Sequence, residues 1–168
     1  CAPDLERLAA LGPVRSVRRV LQHEPDPRFC LQPSFIEGVR LLERHDLAFD
    51  ICIFHHQLEG AIELVRRCPN VRFVLDHIAK PGIKAGLVEP WRTRLRELAA
   101  LPNVWCKISG VATEADHAAW TPAQLRPYIE HALACFGFER AMFGSDWPVS
   151  TRALTWPRWT EILDEVLA

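Results

Sequence analysis

Apolar runs and helical patterns alternate along this chain. Five runs, Val14–Leu21, Leu47–Phe54, Val71–His77, Val104–Ser109 and Arg140–Phe143, are largely apolar, rich in β-branched or aromatic residues, and bounded by Pro, Gly or Asn. Strands buried on both faces read this way, as uninterrupted apolar stretches rather than alternating ones. Between them lie four helical patterns. Leu58, Ala61, Ile62 and Val65 fall at i, i+3, i+4 and i+7 and share one face. Pro90 opens a pattern in which Trp91, Leu95 and Leu98 form a stripe, and Thr121-Pro122-Ala123-Gln124 is a helix start. Ser34 with Glu37 predicts a further capping box. The segments Arg67-Cys68-Pro69-Asn70-Val71 and Ala100-Leu101-Pro102-Asn103-Val104 repeat one motif that ends a helix, turns and starts a strand. Strand–helix alternation of this kind implies a parallel sheet covered by helices, either doubly wound or a barrel.

Composition excludes several classes. The 168 residues carry 20 Lys and Arg against 21 Asp and Glu, a net charge of −1, with no basic run. Neither nucleic acid nor an anionic membrane surface is the expected partner. No apolar run reaches the ~18–20 residues that cross a bilayer, and no signal peptide opens the chain, so a cytoplasmic protein is expected. The six cysteines include no C-x-x-C pair and read as buried, reduced thiols. No G-x-G-x-x-G or P-loop follows any run, which argues against nucleotide binding. Ala2–Leu11 reads as the tail of a helix and Trp159–Ala168 as a helix without a cap, so the chain is expected to be part of a longer protein.

In a parallel α/β sheet, ligands meet the C-terminal ends of the strands. Each run here leaves a titratable group at that end: His55-His56, Asp76-His77, Lys107 near Ser109, and Gly144-Ser145-Asp146, with Arg18 and Arg19 inside the first run. Each also has a plain structural alternative. Asp146 could cap a turn, His77 could be a satisfied core histidine, and Lys107 could extend to the rim. An acid emerging from Ala-Met-Phe-Gly is nevertheless a costly neighbour for a buried sheet unless it has a cation or a hydrogen-bonding task. Of His55 and His56, one is expected to face the site if the strand continues. Asp76 is expected to point away from His77, and His45, His117 and His131 to be solvated.

Three segments carry a resemblance: Val-Leu-Asp-His-Ile-Ala-Lys-Pro (Val74–Pro81), Cys-Lys-Ile-Ser-Gly (Cys106–Gly110) and Met-Phe-Gly-Ser-Asp-Trp-Pro-Val (Met142–Val149). Together with Val17–Gln22 and Glu24–Pro27 they resemble the amidohydrolase-related family of TIM-barrel hydrolases. Within it they are most similar to the sugar-acid lactonase branch of L-fuconolactonase, L-rhamnonolactonase and pyrone-dicarboxylate lactonase. The resemblance implies an incomplete (β/α)8 barrel in which residues 1–168 supply about the fourth to eighth strands. It implies a hydrolase in which Asp146 activates water and His77 polarises the carbonyl or holds a metal. Arg18, Lys107, His55 and Trp147 become candidate substrate-binding residues. His77 and Asp146 are also the candidate ligands of a divalent metal such as zinc, and metal-free chemistry stays open beside it. The family's strand-one His-x-His pair has no counterpart here, so the segment alone is expected to be inactive and to aggregate or pair with a second copy. Two alternatives stand: a zinc-dependent decarboxylase or ring hydrolase of the same superfamily, and a non-catalytic fragment.

Overall fold

In a computed structural model, which describes residues 2–168, the five apolar runs form one parallel sheet. Its strands are β1 (Ser16–Val20), β2 (Ala48–Cys52), β3 (Phe73–Leu75), β4 (Val104–Ile108) and β5 (Ala141–Phe143). They lie in the order β1-β2-β3-β4-β5, each paired in parallel with the next. That order decides between the two architectures. A doubly wound sheet reverses its strand order at a switch point, whereas a barrel adds each strand beside the last. Five of the eight strands of such a barrel are therefore present. Each strand is shorter than its apolar run, most of all β3. Beyond Leu75 the backbone leaves the extended region and coils, so Asp76 and His77 stand on a turn.

Among the described residues six α-helices alternate with the strands: α1 (Ala2–Ala9), α2 (Pro33–Arg40), α3 (Leu58–Arg67), α4 (Trp91–Ala99), α5 (Pro122–Phe136) and α6 (Trp156–Leu167). The expected stripes are the buried ones: Leu58, Ala61, Ile62 and Val65 on α3 and Trp91, Leu95 and Leu98 on α4 are all 2 % exposed or less. Burying each large apolar side chain contributes about 1.5–3 kcal/mol, far more than any cap. At the start of α5 the Thr121 N–H donates to Gln124 Oε1 (2.9 Å), as its sequence predicts. The capping box expected of Ser34 and Glu37 does not form. Pro33 takes the first helical position, which moves Ser34 inside the helix and leaves Gln32 at the cap with no side-chain bond.

The two faces of the sheet differ in chemistry. Ile51, Phe73, Leu75, Val104 and Cys106, all fully buried, face the helices. A run of edge-on rings, Phe35–Phe49 (5.8 Å) and Phe49–Phe73 (6.2 Å), ties α2 to β2 and β3. Alternation along each strand sends Arg18, Asp50 and Lys107 to the opposite, inner face. Cys30, Cys52, Cys68 and Cys106 are buried free thiols and Cys135 is a half-buried one; Cys1 lies outside the described residues. Among the described residues no helix is long and apolar enough to cross a membrane.

Candidate active site

The site begins with a strained turn. After β3, four successive residues adopt left-handed backbone: His77 (φ 54°), Ile78 (46°), Ala79 (60°) and Lys80 (46°). Such angles are uncommon outside glycine and are true outliers for a β-branched residue like Ile78. Each costs on the order of 1–3 kcal/mol and persists only where the surroundings impose it. Here Ile78 and Ala79 are fully buried, and the Ile78 carbonyl accepts a 2.7 Å bond from the Trp91 indole. The coil carries His77 onto the C-terminal rim and Lys80 into a 2.7 Å ion pair with Glu114. Asp146, after β5, is left-handed as well (φ 54°).

His77 and Asp146 meet. Nε2 of His77 lies 3.4 Å from Oδ1 of Asp146, with the two side chains 11 % and 8 % exposed. The two residues are expected to leave neighbouring strands of one rim; they share the rim, but their strands are not neighbours. β4 runs between them, and its exit, Ser109-Gly110, fills the gap. Ser109, wholly buried, holds Nδ1 of His77 at 2.8 Å through Oγ. Gly110 stands so close that a Cβ there would lie 2.8 Å from Asp146 Oδ2 and 3.0 Å from His77 Cβ. Gly144 needs its missing side chain too, since a Cβ would meet Ser109 at 2.9 Å. Its carbonyl is fixed by the Trp159 indole at 2.8 Å.

Electrostatics keep His77 neutral. Burial pushes its pKa down to about 4. Asp146 opposes that shift, while Lys80, Lys107 and Arg18 reinforce it. Asp146 presents a second oxygen, Oδ2, that is buried and has no hydrogen-bond donor among the described residues.

Below this pair lies a charged floor. Lys107 donates to Asp50 Oδ2 (2.7 Å) and Asp76 Oδ1 (2.8 Å), while Arg18 Nη1 stands 3.5 Å from Asp76 Oδ2. Asp76 is almost fully buried and does point away from His77, into this cluster. The Lys107 ammonium, a candidate for a substrate anion, is thus engaged by two carboxylates, whereas the half-exposed Arg18 remains open to solvent on one side. His55 is half-buried on the rim and its neighbour His56 exposed. The two do not alternate along a strand, because β2 ends at Cys52 and they occupy a 3-10 turn, edge to face at 5.8 Å. Trp147 is 71 % exposed beside Asp146.

Sequence reasoning missed the pairing role of Asp50, legible as a lone acid inside Ala-Phe-Asp-Ile-Cys, and the Lys80–Glu114 pair, which no local pattern signals. It also placed His131 on the surface. That imidazole is buried on α5, bonded to the Arg92 carbonyl at 2.9 Å. It borders a cavity of about 360 Å³ between α4 and α5, lined by Val88, Trp91, Arg92 and Tyr128.

As metal ligands, His77 Nε2 and the orphaned Asp146 Oδ2 fit two positions of a donor set. Among the described residues no group of three or more His, Cys, Asp or Glu could hold an ion. Residues 2–167 match the family described as Amidohydrolase. The chain belongs to that family. An L-fucono-1,5-lactonase of Burkholderia ambifaria is 40 % identical over 152 residues, covering 89 % of this chain and 51 % of its own. A second, from Burkholderia multivorans, is 38 % identical over 165 residues, covering 88 % and 56 %. This amidohydrolase chain thus spans about half the length of the curated relatives it matches. A crystal structure of an amidohydrolase from Burkholderia multivorans with bound zinc superposes with a TM-score of 0.87 at 35 % identity, over 90 % of this chain and 56 % of that one.

Proposed function

We propose that this chain is the C-terminal portion of a single barrel that opens sugar-acid lactones of the fucono- or rhamnono-lactone type, with Asp146 and His77 as its catalytic pair. One observation carries the reading: a carboxyl group and a neutral imidazole 3.4 Å apart, 8 % and 11 % exposed, on the rim where barrel strands end. Lactone hydrolysis needs a nucleophilic water and a polarised carbonyl. Asp146 takes a proton from water as its oxygen attacks the carbonyl carbon. His77 stabilises the negative charge that builds on the carbonyl oxygen. When the bond from the acyl carbon to the ring oxygen breaks, Asp146 returns the proton to the departing alkoxide, giving a hydroxy acid. Arg18 binds the hydroxyls or carboxylate of the sugar acid, for which a guanidinium fork is suited. Lys107 holds the two acids beneath, and His55 and Trp147 border the substrate at the rim. A divalent cation held by His77 and Asp146, with further ligands from the rest of the barrel, would lower the pKa of a bound water towards ~7.

The test is a panel of sugar-acid lactones offered to the purified full-length protein that contains this segment, with acid release read by a pH indicator. Asp146→Asn should lower turnover by about 10²–10⁴-fold, the usual contribution of a positioned acid–base group, with the circular dichroism spectrum unchanged. Turnover that survives the substitution removes Asp146 from its role. An L-fuconolactone preference is supported by the 40 % and 38 % identities to lactonases so named.

A further inference from the structure

Ser109 is wholly buried, and its hydroxyl has one hydrogen-bond partner among the described residues, Nδ1 of His77 at 2.8 Å. A serine hydroxyl carries one proton to donate, and leaving a buried donor unpaired is costly. Two arrangements satisfy the 2.8 Å contact. If Nδ1 bears the proton and donates to Oγ, the serine O–H has no acceptor among the described residues. If the serine O–H donates to Nδ1, the buried hydroxyl is satisfied and Nε2, which lies 3.4 Å from Asp146 Oδ1, bears the proton.

We infer that Ser109 is a positioning residue that holds His77 as the Nε2–H tautomer, so that the imidazole offers a hydrogen-bond donor to the oxygen-bearing side of the site. The surroundings hold this contact rigid. Gly144 leaves no slack around the serine, because even a methyl there would approach its Cβ to 2.9 Å. The same loop then pins the far end of the left-handed coil. Thr113 Oγ1 donates to the Gly110 carbonyl (2.9 Å), and Glu114 holds Lys80 (2.7 Å). One short segment, Ser109–Glu114, therefore fixes His77, abuts Asp146 and anchors Lys80. The consequence deepens the proposed reaction, on which it rests. As an Nε2–H donor His77 acts on the carbonyl oxygen directly, whereas a cation at Nε2 would require the proton to move to Nδ1 and the serine hydroxyl to turn round and lose its acceptor.

The experiment reads the imidazole and not the reaction. In the uniformly ¹⁵N-labelled protein, kept metal-free with chelator at pH 7, long-range ¹H–¹⁵N correlation resolves the two ring nitrogens of each of the seven histidines. His77→Gln assigns the relevant pair. The expected result is a protonated Nε2 and an unprotonated Nδ1 shifted upfield by a hydrogen bond. In Ser109→Ala, Nε2 should stay protonated while Nδ1 moves downfield to the position of a free lone pair. A proton found on Nδ1 in the unsubstituted protein overturns the inference, as does an Nδ1 resonance that does not respond to Ser109→Ala. The first observation needs no variant, so poor folding of the alanine form leaves the question decidable. Either outcome is independent of whether any lactone is turned over.

Discussion

Removing the ammonium of Lys107 isolates the energetics of the charged floor. Asp50 and Asp76 are 5 % and 1 % exposed, and Lys107 supplies both with charge-assisted bonds, at 2.7 and 2.8 Å. Burial works against the lysine's charge, but the two carboxylates outweigh it and raise its pKa. In Lys107→Met the stem is retained and the charge lost. Asp76 then keeps only Arg18, at 3.5 Å and with a half-exposed side chain, and Asp50 loses its ammonium altogether. Two charge-assisted bonds at about 1.5–3 kcal/mol each set a range of about 3–6 kcal/mol, and stranding a buried partner typically costs 3–5 kcal/mol. The lysine side chain is 27 % exposed, so water replaces part of what is lost. A destabilisation of about 3 kcal/mol at pH 7 is therefore expected. Asp76, whose pKa burial already pushes up, can escape only by taking up a proton, so its folded-state pKa stands further above the unfolded value. Such groups favour folding more as pH falls, and the gap between variant and parent must shrink on acidification. Urea unfolding followed by tryptophan fluorescence at pH 7 and pH 5 measures both. A loss under 1 kcal/mol, or one that is the same at the two pH values, refutes the argument that these charges are mutually dependent.

Two further outcomes test the rim. Gly110→Ala and Gly86→Ala both place alanine in left-handed backbone (φ +61° and +65°), but only the first would press on Asp146 and His77, while nothing lies within 4 Å of the second. Both should lose about 1–2 kcal/mol from backbone strain, and Gly110→Ala a further amount together with a displaced His77 resonance; equal melting temperatures for the two would exclude the crowding. His77, held down to about 4 by burial, refuses between pH 6.5 and 4 a proton that the unfolded chain accepts. Its contribution is thus complete above pH 6.5 and lost as pH falls through that window, with a ceiling of about 3 kcal/mol. Urea midpoints of the parent and His77→Gln should converge from pH 7 to pH 4, and parallel curves would show that the imidazole titrates normally.

What the sequence discloses follows from the range of the forces involved. Periodicity is local, so the strand–helix alternation and the buried stripes of α3 and α4 are legible without any structure. The choice between a barrel and a doubly wound sheet is not, because it depends on which strands pair, and the order β1-β2-β3-β4-β5 had to be observed. The site divides in the same way. His77 and Asp146 are visible as polar residues at strand ends, where burial makes them expensive. Ser109 is small and ordinary in composition, and its importance lies in a 2.8 Å contact with a residue 32 positions away. The Ser34 capping box fails for a local reason that can be read in advance, since Pro33 outbids it for the helix start.

Lys107 shows what residue type alone leaves open. A lysine in an apolar strand signals an anion nearby, which is correct, but the anions are the protein's own Asp50 and Asp76. The same inner face that gathers these charges leaves Arg18 half solvated and paired at 3.5 Å rather than in a short bond. An arginine in that position loses little when it turns to an incoming anion, whereas Lys107 would have to strand two buried acids. Desolvation thus separates the two cations: the one that is costly to move is held in the floor, and the one that is cheap to move stays half open to solvent.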